Sequence, residues 1–384
     1  MTQIIKILFF GSTADSVIVL SRLNGLRMTD YELRVVCIVT QPPKPVGRQL
    51  VITPTPVEDW AKQHTIPVVS FASSNENPSL YEREELVADT LAPFKADLLV
   101  SASYGQRIPM RTINEARFGG LNVHPSILPR WRGADPVPWA ILAGDHQIGA
   151  TIVTLTEKFD EGKIIAQKKI SIMDTDTSDP LRTKLFDLGA HLLITSLPNY
   201  LSQNHKEFPQ QYNNKTIKQS SSYARKFVRE DGYIPWELIQ AVIQPATRNT
   251  EQGTSKSANV STIEHYNNIT IIKDYLKCRG SSDQDKPLGV ILERFFRALS
   301  PWPGVWTKIT IQREQQINKL TTQQSDNTTK QRNNTEEKRL KILACHLQPT
   351  TNNLILDSVQ LEGKKSVSWK QFEAAYLYQS TPQK

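Results

Sequence analysis

Apolar runs of strand length alternate with amphipathic stretches of helical period through the first half of this 384-residue chain. Parallel strands joined by crossover helices produce this alternation, so it predicts an α/β fold with a Rossmann-like, doubly wound parallel sheet. The runs with strand character cover residues 4–10, 33–40, 66–71, 97–103 and 121–124. The stretches with helical character cover residues 14–23, 57–63, 81–92 and 138–144.

The pattern changes after the last of these stretches, where two strands and a long helix are predicted. The strands are residues 149–155 and 164–172, with a tight turn at residues 159–162 between them. Asp179 followed by Pro180 is typical of a helix start. A carboxylate can cap the first free N–H groups, and proline has no N–H to leave unpaired. We therefore predict a long helix that begins here and ends near residue 201.

The second half of the chain is less regular. Residues 204–222 are polar and aperiodic, which favours a linker between an N-terminal domain, 1–203, and a C-terminal domain, 223–384. Residues 245–288 are rich in Ser, Thr, Asn and Lys, and residues 313–337 are rich in Gln, Asn and Thr, so both are predicted to be insertions or mobile loops. The strand-like pieces that remain predict a small antiparallel β-barrel, similar to an OB-fold. They are residues 305–311, 340–347 and 354–360.

The excess of positive over negative charge lies in the second half of the chain. Residues 1–205 contain 20 Lys and Arg against 21 Asp and Glu, whereas residues 206–384 contain 26 against 17. A basic module attached to a neutral one favours a polyanionic partner such as nucleic acid. A surface that only improves solubility is the alternative on charge alone.

Several classes of protein are disfavoured. The turn after the first strand, residues 11–15, lacks the spaced glycines of a dinucleotide site, and no phosphate-binding Gly-Lys-Ser/Thr loop occurs. The three cysteines are widely spaced, which indicates neither a disulfide framework nor a metal site, and Cys37 lies in an apolar run typical of a buried thiol. The N-terminal apolar run is too short for a membrane span. We expect a cytoplasmic monomer without a bound metal.

Three polar side chains follow one another at the end of a predicted strand. Asn122, His124 and Ser126 are two residues apart, so they project to the same side of an extended chain. In doubly wound sheets the ligand lies beyond such strand ends. An amide and an imidazole directed at one point can hold an oxygen that gains negative charge, as acyl transfer requires.

Asp160 is the candidate proton acceptor for this group. A carboxylate next to His124 could take a proton from an incoming amine, although Asp160 could also serve only to form its turn, and His124 could be a core histidine. Ser126 lacks the G-x-S-x-G surroundings of a nucleophile, and no cysteine is near. The residues therefore favour direct transfer between two bound reactants over a covalent enzyme intermediate.

Residues 122–133, Asn-Val-His-Pro-Ser-Ile-Leu-Pro-Arg-Trp-Arg-Gly, together with Phe-Asp-Glu-Gly at 159–162, resemble the folate-dependent formyltransferases. Within them the resemblance is greatest to the methionyl-tRNA formyltransferase family. It implies that Asn122, His124 and Asp160 are catalytic. It also implies that a segment following the catalytic histidine binds the folate: Ser126, Ile127, Leu128 and Pro129. The Leu128-Pro129 bond could be a cis peptide or part of an ordinary turn.

The resemblance extends along most of the chain. Residues 40–48 resemble the start of a loop that contacts transfer RNA in the family, which implies such a role for Lys44 and Arg48. Further segments resemble the C-terminal half of the family: 223–226, 230–236, 297–304 and 360–365. Where the family often has Gly-Arg-Gly-Lys-Lys, this chain has Gly-Arg-Gln-Leu-Val at 47–51 and so lacks two positive charges.

The resemblance implies a reaction and its substrates. A formyl group would pass from 10-formyltetrahydrofolate to the α-amino group of methionine on initiator tRNA, by direct attack through a tetrahedral intermediate, for translation initiation. The partners would be the folate and the initiator methionyl-tRNA. One alternative is a folate-dependent formyltransferase acting on an amino-sugar nucleotide, which would not need a basic C-terminal half. Another is an RNA-binding protein that has lost catalysis.

Overall fold

A parallel arrangement of strands forms most of the N-terminal sheet in the computed structural model. The structure describes residues 2–47, 49–202, 222–243, 260–279, 283, 285–312 and 335–377. The chain divides into two compact units. The first comprises residues 1–141 and 145–226, and the second comprises residues 142–144 and 227–384. The linker predicted at 204–222 lies outside the described residues except for Ser222.

Strands and helices alternate in the first unit, as the sequence predicts. Its strands are β1 (Gln3–Phe10), β2 (Tyr31–Thr40), β3 (Lys44–Val46), β4 (Val51–Thr53), β5 (Val68–Ser70), β6 (Leu98–Ala102), β7 (Gly120–His124), β8 (Arg132–Gly133), β9 (Gln147–Thr154), β10 (Ile164–Ser171) and β11 (Tyr223–Ala224). Its helices are α1 (Ala14–Leu23), α2 (Pro56–Gln63), α3 (Glu84–Leu91), α4 (Met110–Glu115), α5 (Pro136–Leu142), which reaches the first residue of the second unit, and α6 (Ser178–Leu201).

The main sheet has seven strands in the order β10-β9-β7-β6-β1-β2-β5. The strands from β7 to β5 are parallel, and β9 and β10 extend the sheet antiparallel to β7 and to each other. The α/β Rossmann-like prediction is therefore confirmed, with two antiparallel strands added at one edge. In this arrangement β7 lies inside the sheet, and its carboxyl end faces the region where ligands bind in such folds.

Both faces of the sheet are buried, which explains why six of the eight residues of β1 are apolar. Ile5, Ile7 and Phe9 belong to a core cluster that includes residues of α1 and α6. Leu8 and Phe10 belong to the cluster on the other face, with residues of α3 and α4. Since each large apolar side chain stabilises the fold by about 1.5–3 kcal/mol when buried, a strand covered on both faces contributes strongly.

The second unit contains a four-stranded antiparallel sheet in the order β12-β13-β14-β15, consistent with the predicted small barrel. Its strands are β12 (Trp306–Gln312), β13 (Thr335–Leu347), β14 (Leu354–Leu361) and β15 (Ser366–Ser368). Its helices are α7 (Trp236–Gln240), α8 (Val260–Glu264), α9 (Thr270–Cys278), α10 (Leu288–Leu299) and α11 (Trp369–Tyr376).

Part of the segment 245–288 is helical, whereas the sequence suggested an insertion or a mobile loop. Ile271, Ile272 and Tyr275 of α9 are fully buried. The Tyr275 hydroxyl donates to Asp283, which also accepts two hydrogen bonds from Arg294 of α10 at 2.8 and 2.9 Å. The apolar face of α9 and this buried ion pair therefore fold the segment against α10. The other predicted insertion, 313–337, lies outside the described residues up to residue 334.

Among the residues that the structure describes, no helix combines the length and the apolar character that a membrane crossing requires.

Candidate active site

The candidate catalytic side chains lie at the carboxyl end of β7. Ser101 of β6 is the partner of Asn122 in the sheet, and Thr151 of β9 is the partner of His124. Asn122 is half-buried, while the His124 side chain is only 5% exposed. The strand thus carries an amide at the border of solvent and an imidazole behind it.

Asp160 meets both of these side chains. It lies in the turn between β9 and β10, and its side chain is 8% exposed. The Asn122 amide donates to Asp160 Oδ1 at 3.1 Å, and His124 Nδ1 lies 3.3 Å from the same oxygen. The three residues that the sequence singled out therefore converge, although 36 residues separate His124 from Asp160.

The second oxygen of the carboxylate is also engaged. The backbone N–H of Gly133 donates to Asp160 Oδ2 at 2.9 Å. Gly133 has φ +104°, a backbone conformation that residues other than glycine rarely adopt. Hydrogen bonds to both oxygens fix the orientation of the carboxylate.

The other nitrogen of His124 faces a backbone carbonyl. His124 Nε2 lies 2.8 Å from the carbonyl oxygen of Trp131. A carbonyl only accepts hydrogen bonds, so this nitrogen carries a proton. The opposite nitrogen, Nδ1, faces the Asp160 carboxylate at 3.3 Å. The imidazole therefore lies between a carbonyl and a carboxylate, within reach of a proton transfer with Asp160.

The predicted folate-binding residues form the loop that follows β7. Ser126 is fully buried, and its hydroxyl donates to the Arg130 carbonyl at 2.7 Å, so it shapes the loop itself. Ile127 and Pro129 are half-buried, and Leu128 is 3% exposed. The Leu128-Pro129 peptide bond is cis. The roles of these four residues in binding stay predictions.

Two polar residues that the sequence analysis did not select support this loop. Thr151 Oγ1 donates to the Ser126 carbonyl at 2.7 Å, and the backbone N–H of Leu128 points to the same hydroxyl at 3.3 Å. The Gln167 amide donates to Thr151 Oγ1 at 2.8 Å and to the Leu128 carbonyl at 3.1 Å. The sequence around Thr151 and Gln167 did not indicate this role, because each is one residue of a predicted strand and belongs to no motif.

Of the two predicted RNA-contacting residues, Lys44 lies within the described part of the chain. Lys44 is exposed in the hairpin of β3 and β4, and its Nζ donates to the Gln41 side chain at 2.7 Å. Arg48 lies outside the described residues. Several apolar side chains of this hairpin are exposed: Val46, Leu50, Val51 and Ile52. The contacts of Lys44 and Arg48 with RNA remain predictions.

Comparison with protein-family models gives two matches. A model described as formyl transferase matches residues 5–197, and a model described as formyl transferase, C-terminal domain, matches residues 290–376. The first match covers half of the chain and contains every described residue of the candidate active site.

Curated relatives carry a more specific description. A methionyl-tRNA formyltransferase of Listeria monocytogenes is 39% identical over 231 residues, which is 60% of this chain and 68% of the relative. A methionyl-tRNA formyltransferase of Staphylococcus epidermidis is 36% identical over 238 residues, which is 62% of this chain and 70% of the relative.

Two solved structures give weaker matches. A phosphoribosylglycinamide formyltransferase from Bacillus halodurans has a TM-score of 0.42 and 25% identity over 52% of this chain and 96% of its own. A 4-N formyltransferase from Francisella tularensis has a TM-score of 0.46 and 13% identity over 79% of this chain and 91% of its own.

Proposed function

Since this chain belongs to the formyl transferase family, with methionyl-tRNA formyltransferases among its relatives, we propose a specific reaction for it. It transfers the formyl group of 10-formyltetrahydrofolate to the α-amino group of methionine on initiator tRNA, in the cytoplasm, as a step of translation initiation. The observation that carries this proposal is the convergence of Asn122, His124 and Asp160 at the end of β7.

Asn122 and His124 would stabilise the negative charge that forms on the formyl oxygen when the amine attacks. A primary amide has two N–H groups, and one of those of Asn122 donates to Asp160, so the other can donate to the substrate. The contact of His124 Nδ1 with Asp160 is the longer of its two contacts, at 3.3 Å against 2.8 Å. This nitrogen would therefore be the one that turns to the substrate, while Nε2 stays on Trp131.

Asp160 would accept the proton that the amine loses. Its carboxylate already lies within reach of both Asn122 and His124, and the Gly133 N–H holds it in place. Once the proton is on Asp160 or His124, it can be returned to the leaving nitrogen of the folate. General acid–base catalysis of this kind contributes about 10²- to 10⁴-fold in rate.

The loop after β7 would hold the formyl donor, which supplies the one-carbon group. Ile127 and Pro129 are only half-buried and so offer apolar surface in the loop that follows Asn122 and His124 in the chain. Partly exposed apolar side chains next to a few directed polar groups suit a ligand with a flat ring and one reacting carbonyl. Thr151 and Gln167 would keep the loop backbone in this conformation.

The acceptor RNA would be held mainly by charge. The excess of Lys and Arg in residues 206–384 supports this part of the proposal, as do Lys44 and Arg48. Phosphate contacts position an RNA without reading its sequence. The two positive charges that the loop at 47–51 lacks would make the C-terminal half more important for this task.

A formylation assay with three acceptors tests the proposal. With 10-formyltetrahydrofolate as the donor, we expect rapid formylation of methionyl initiator tRNA, slower formylation of methionyl elongator tRNA, and no formylation of an amino-sugar nucleotide. Preference for the amino-sugar nucleotide would instead support the alternative acceptor class. No product with any of the three would refute the proposed reaction.

Asn122→Ala tests the role of the amide. We expect kcat to fall about 10²- to 10³-fold, as is typical for the loss of one donor to a developing oxyanion, while the affinity for the folate persists. Asn114→Ala, which removes an exposed amide from α4, is the matched control and should behave like the wild type. Loss of folate binding with normal turnover would contradict the assigned role.

A further inference from the structure

Asp145, just before β9, accepts three hydrogen bonds from two adjacent residues. Arg130 binds both carboxylate oxygens, through Nε at 2.8 Å and a terminal nitrogen at 2.6 Å. The indole N–H of Trp131 donates to Asp145 Oδ2 at 2.6 Å. Arg130 and Asp145 are each 17% exposed. Short, charge-assisted and bidentate hydrogen bonds between partly buried side chains are among the stronger polar interactions in proteins.

The same contacts immobilise the Trp131 ring. The Arg130 guanidinium lies 4.3 Å from the centre of this ring, at cation–π distance, and Trp131 is 2% exposed. The ring is therefore held by a hydrogen bond at its edge and by a cation on its face. Asp145 takes part in both, since it binds the ring nitrogen directly and orients the guanidinium.

The backbone of Trp131 is in an unfavourable conformation. Its φ is +61°, which is rare for a bulky side chain and costs on the order of 1–3 kcal/mol. This conformation directs the Trp131 carbonyl to His124 Nε2 at 2.8 Å, and the Trp131 N–H donates to Ser222 Oγ at 3.1 Å. A side chain fixed by Asp145 offsets the cost of this backbone geometry.

We propose that Asp145 is a positioning residue of the active site. By holding Trp131, it keeps the carbonyl acceptor of His124 Nε2 in place, so that Nδ1 is presented to Asp160 and to the substrate. This inference rests on the proposed function, because it assigns a role in the same reaction. It differs from a purely structural role, in which the Arg130–Asp145 pair would only stabilise the loop.

Asp145→Asn removes the charge at nearly constant size. With methionyl initiator tRNA and 10-formyltetrahydrofolate, we expect kcat to fall by up to about 100-fold, because small displacements of catalytic groups have effects of this size. The KM values of both substrates should not change. Asp15→Asn is the matched control: Asp15 is also buried and bound by an arginine, Arg182 at 2.7 Å, but it makes no contact with Trp131 or His124 in the contacts described for it.

A second readout follows His124 directly and needs no substrate. In ¹⁵N spectra, assigned with His124→Gln, the wild-type imidazole should carry a proton on Nε2. In Asp145→Asn we expect the proton to be distributed between the two nitrogens, while Asp15→Asn keeps the wild-type signature. An unchanged His124 signature together with an unchanged kcat would overturn the inference.

Trp131→Phe keeps the Arg130–Asp145 pair and removes only the indole N–H and part of the ring. It should reproduce the altered His124 signature and the lower kcat, and it tests the inference even if Asp145→Asn does not fold. Both variants disturb the same contact between Asp145 and Trp131. The kcat of the double variant should therefore be only slightly lower than that of either single variant. A normal His124 signature in folded Trp131→Phe would overturn the proposed route through Trp131. Failure of the wild type to formylate methionyl-tRNA would refute the proposed function but leave the spectroscopic result valid.

Discussion

Asp160 combines the chemistry of the site with a left-handed backbone, φ +56°. Among residues other than glycine, aspartate and asparagine adopt this region most readily, because their short polar side chains can bond locally. One residue type therefore suits both the turn and the carboxylate that contacts Asn122 and His124. The two readings of Asp160 that the sequence left open, turn former and catalytic partner, are compatible.

Asp160→Asn separates these two roles. Asparagine tolerates the same backbone conformation, so we expect the fold to persist while kcat falls about 10²- to 10⁴-fold, because no carboxylate remains to accept the proton. Steady-state formylation kinetics and a thermal unfolding curve measure the two effects. Glu157→Gln, an exposed carboxylate before the same turn, should leave both unchanged. Normal kcat in Asp160→Asn would remove Asp160 from the mechanism.

The connection between β9 and β10 places Asp160 at the end of β7. This connection packs closely on Thr154, whose hydroxyl accepts from the Lys163 N–H at 2.8 Å and whose N–H donates to the Lys163 carbonyl at 2.9 Å. A Cβ at Gly162 would lie 1.8 Å from the Thr154 carbonyl oxygen. Glycine is therefore required here for space, and the position of Asp160 depends on it.

Gly162→Ala should displace this connection. We expect a loss of about 1–3 kcal/mol in the free energy of unfolding, typical of overpacking, and a fall in kcat because Asp160 moves with the turn. Gly25→Ala is the control, since it has φ +74° but no atom within 4 Å of the added Cβ. It should cost about 1–2 kcal/mol from backbone strain and leave kcat unchanged. Equal kcat in the two variants would argue against a dependence of catalysis on this turn.

Ionisable groups in the core make the stability of the protein depend on pH. Burial raises the pKa of the Cys37 thiol from its ordinary 9.0 to about 12, in agreement with the buried structural thiol that the sequence predicts. Burial, and to a lesser extent its neighbour Tyr104, also raises the pKa of Tyr81. The folded state holds these protons more tightly than the unfolded state. The free energy of unfolding therefore falls as the pH rises above about 9.

Urea denaturation at pH 8 and at pH 10.5 measures this dependence. For Cys37 alone we expect a loss of about 1.4 kcal/mol per pH unit above pH 9, the free energy that corresponds to one pKa unit. Cys37→Ala removes this contribution, so its stability should fall less steeply over the same interval. The same slope in Cys37→Ala and in the wild type would exclude Cys37 as a source of the alkaline sensitivity.

Residue spacing and hydropathy were enough to predict much of the fold. The apolar runs of β1, β2 and β6 identify strands buried on both faces, and the period-two spacing of Asn122 and His124 places both at one strand end. The helices within the predicted insertion 245–288 were not expected, because its polar composition conceals the apolar face of α9. Periodicity within nine residues is a weak signal when the flanking residues are polar.

By itself, the sequence determined which local elements form and which side chains carry donors, acceptors and charge, because these properties depend on residues close together in the chain. Three contacts follow only from the tertiary structure. Asp160 contacts His124, the Trp131 carbonyl accepts a hydrogen bond from His124 Nε2, and Asp145 accepts one from the Trp131 indole. These contacts depend on sheet order and on left-handed backbone at two non-glycine residues, Trp131 and Asp160. Neither is encoded in the spacing of residues, since both are set by packing across the whole unit.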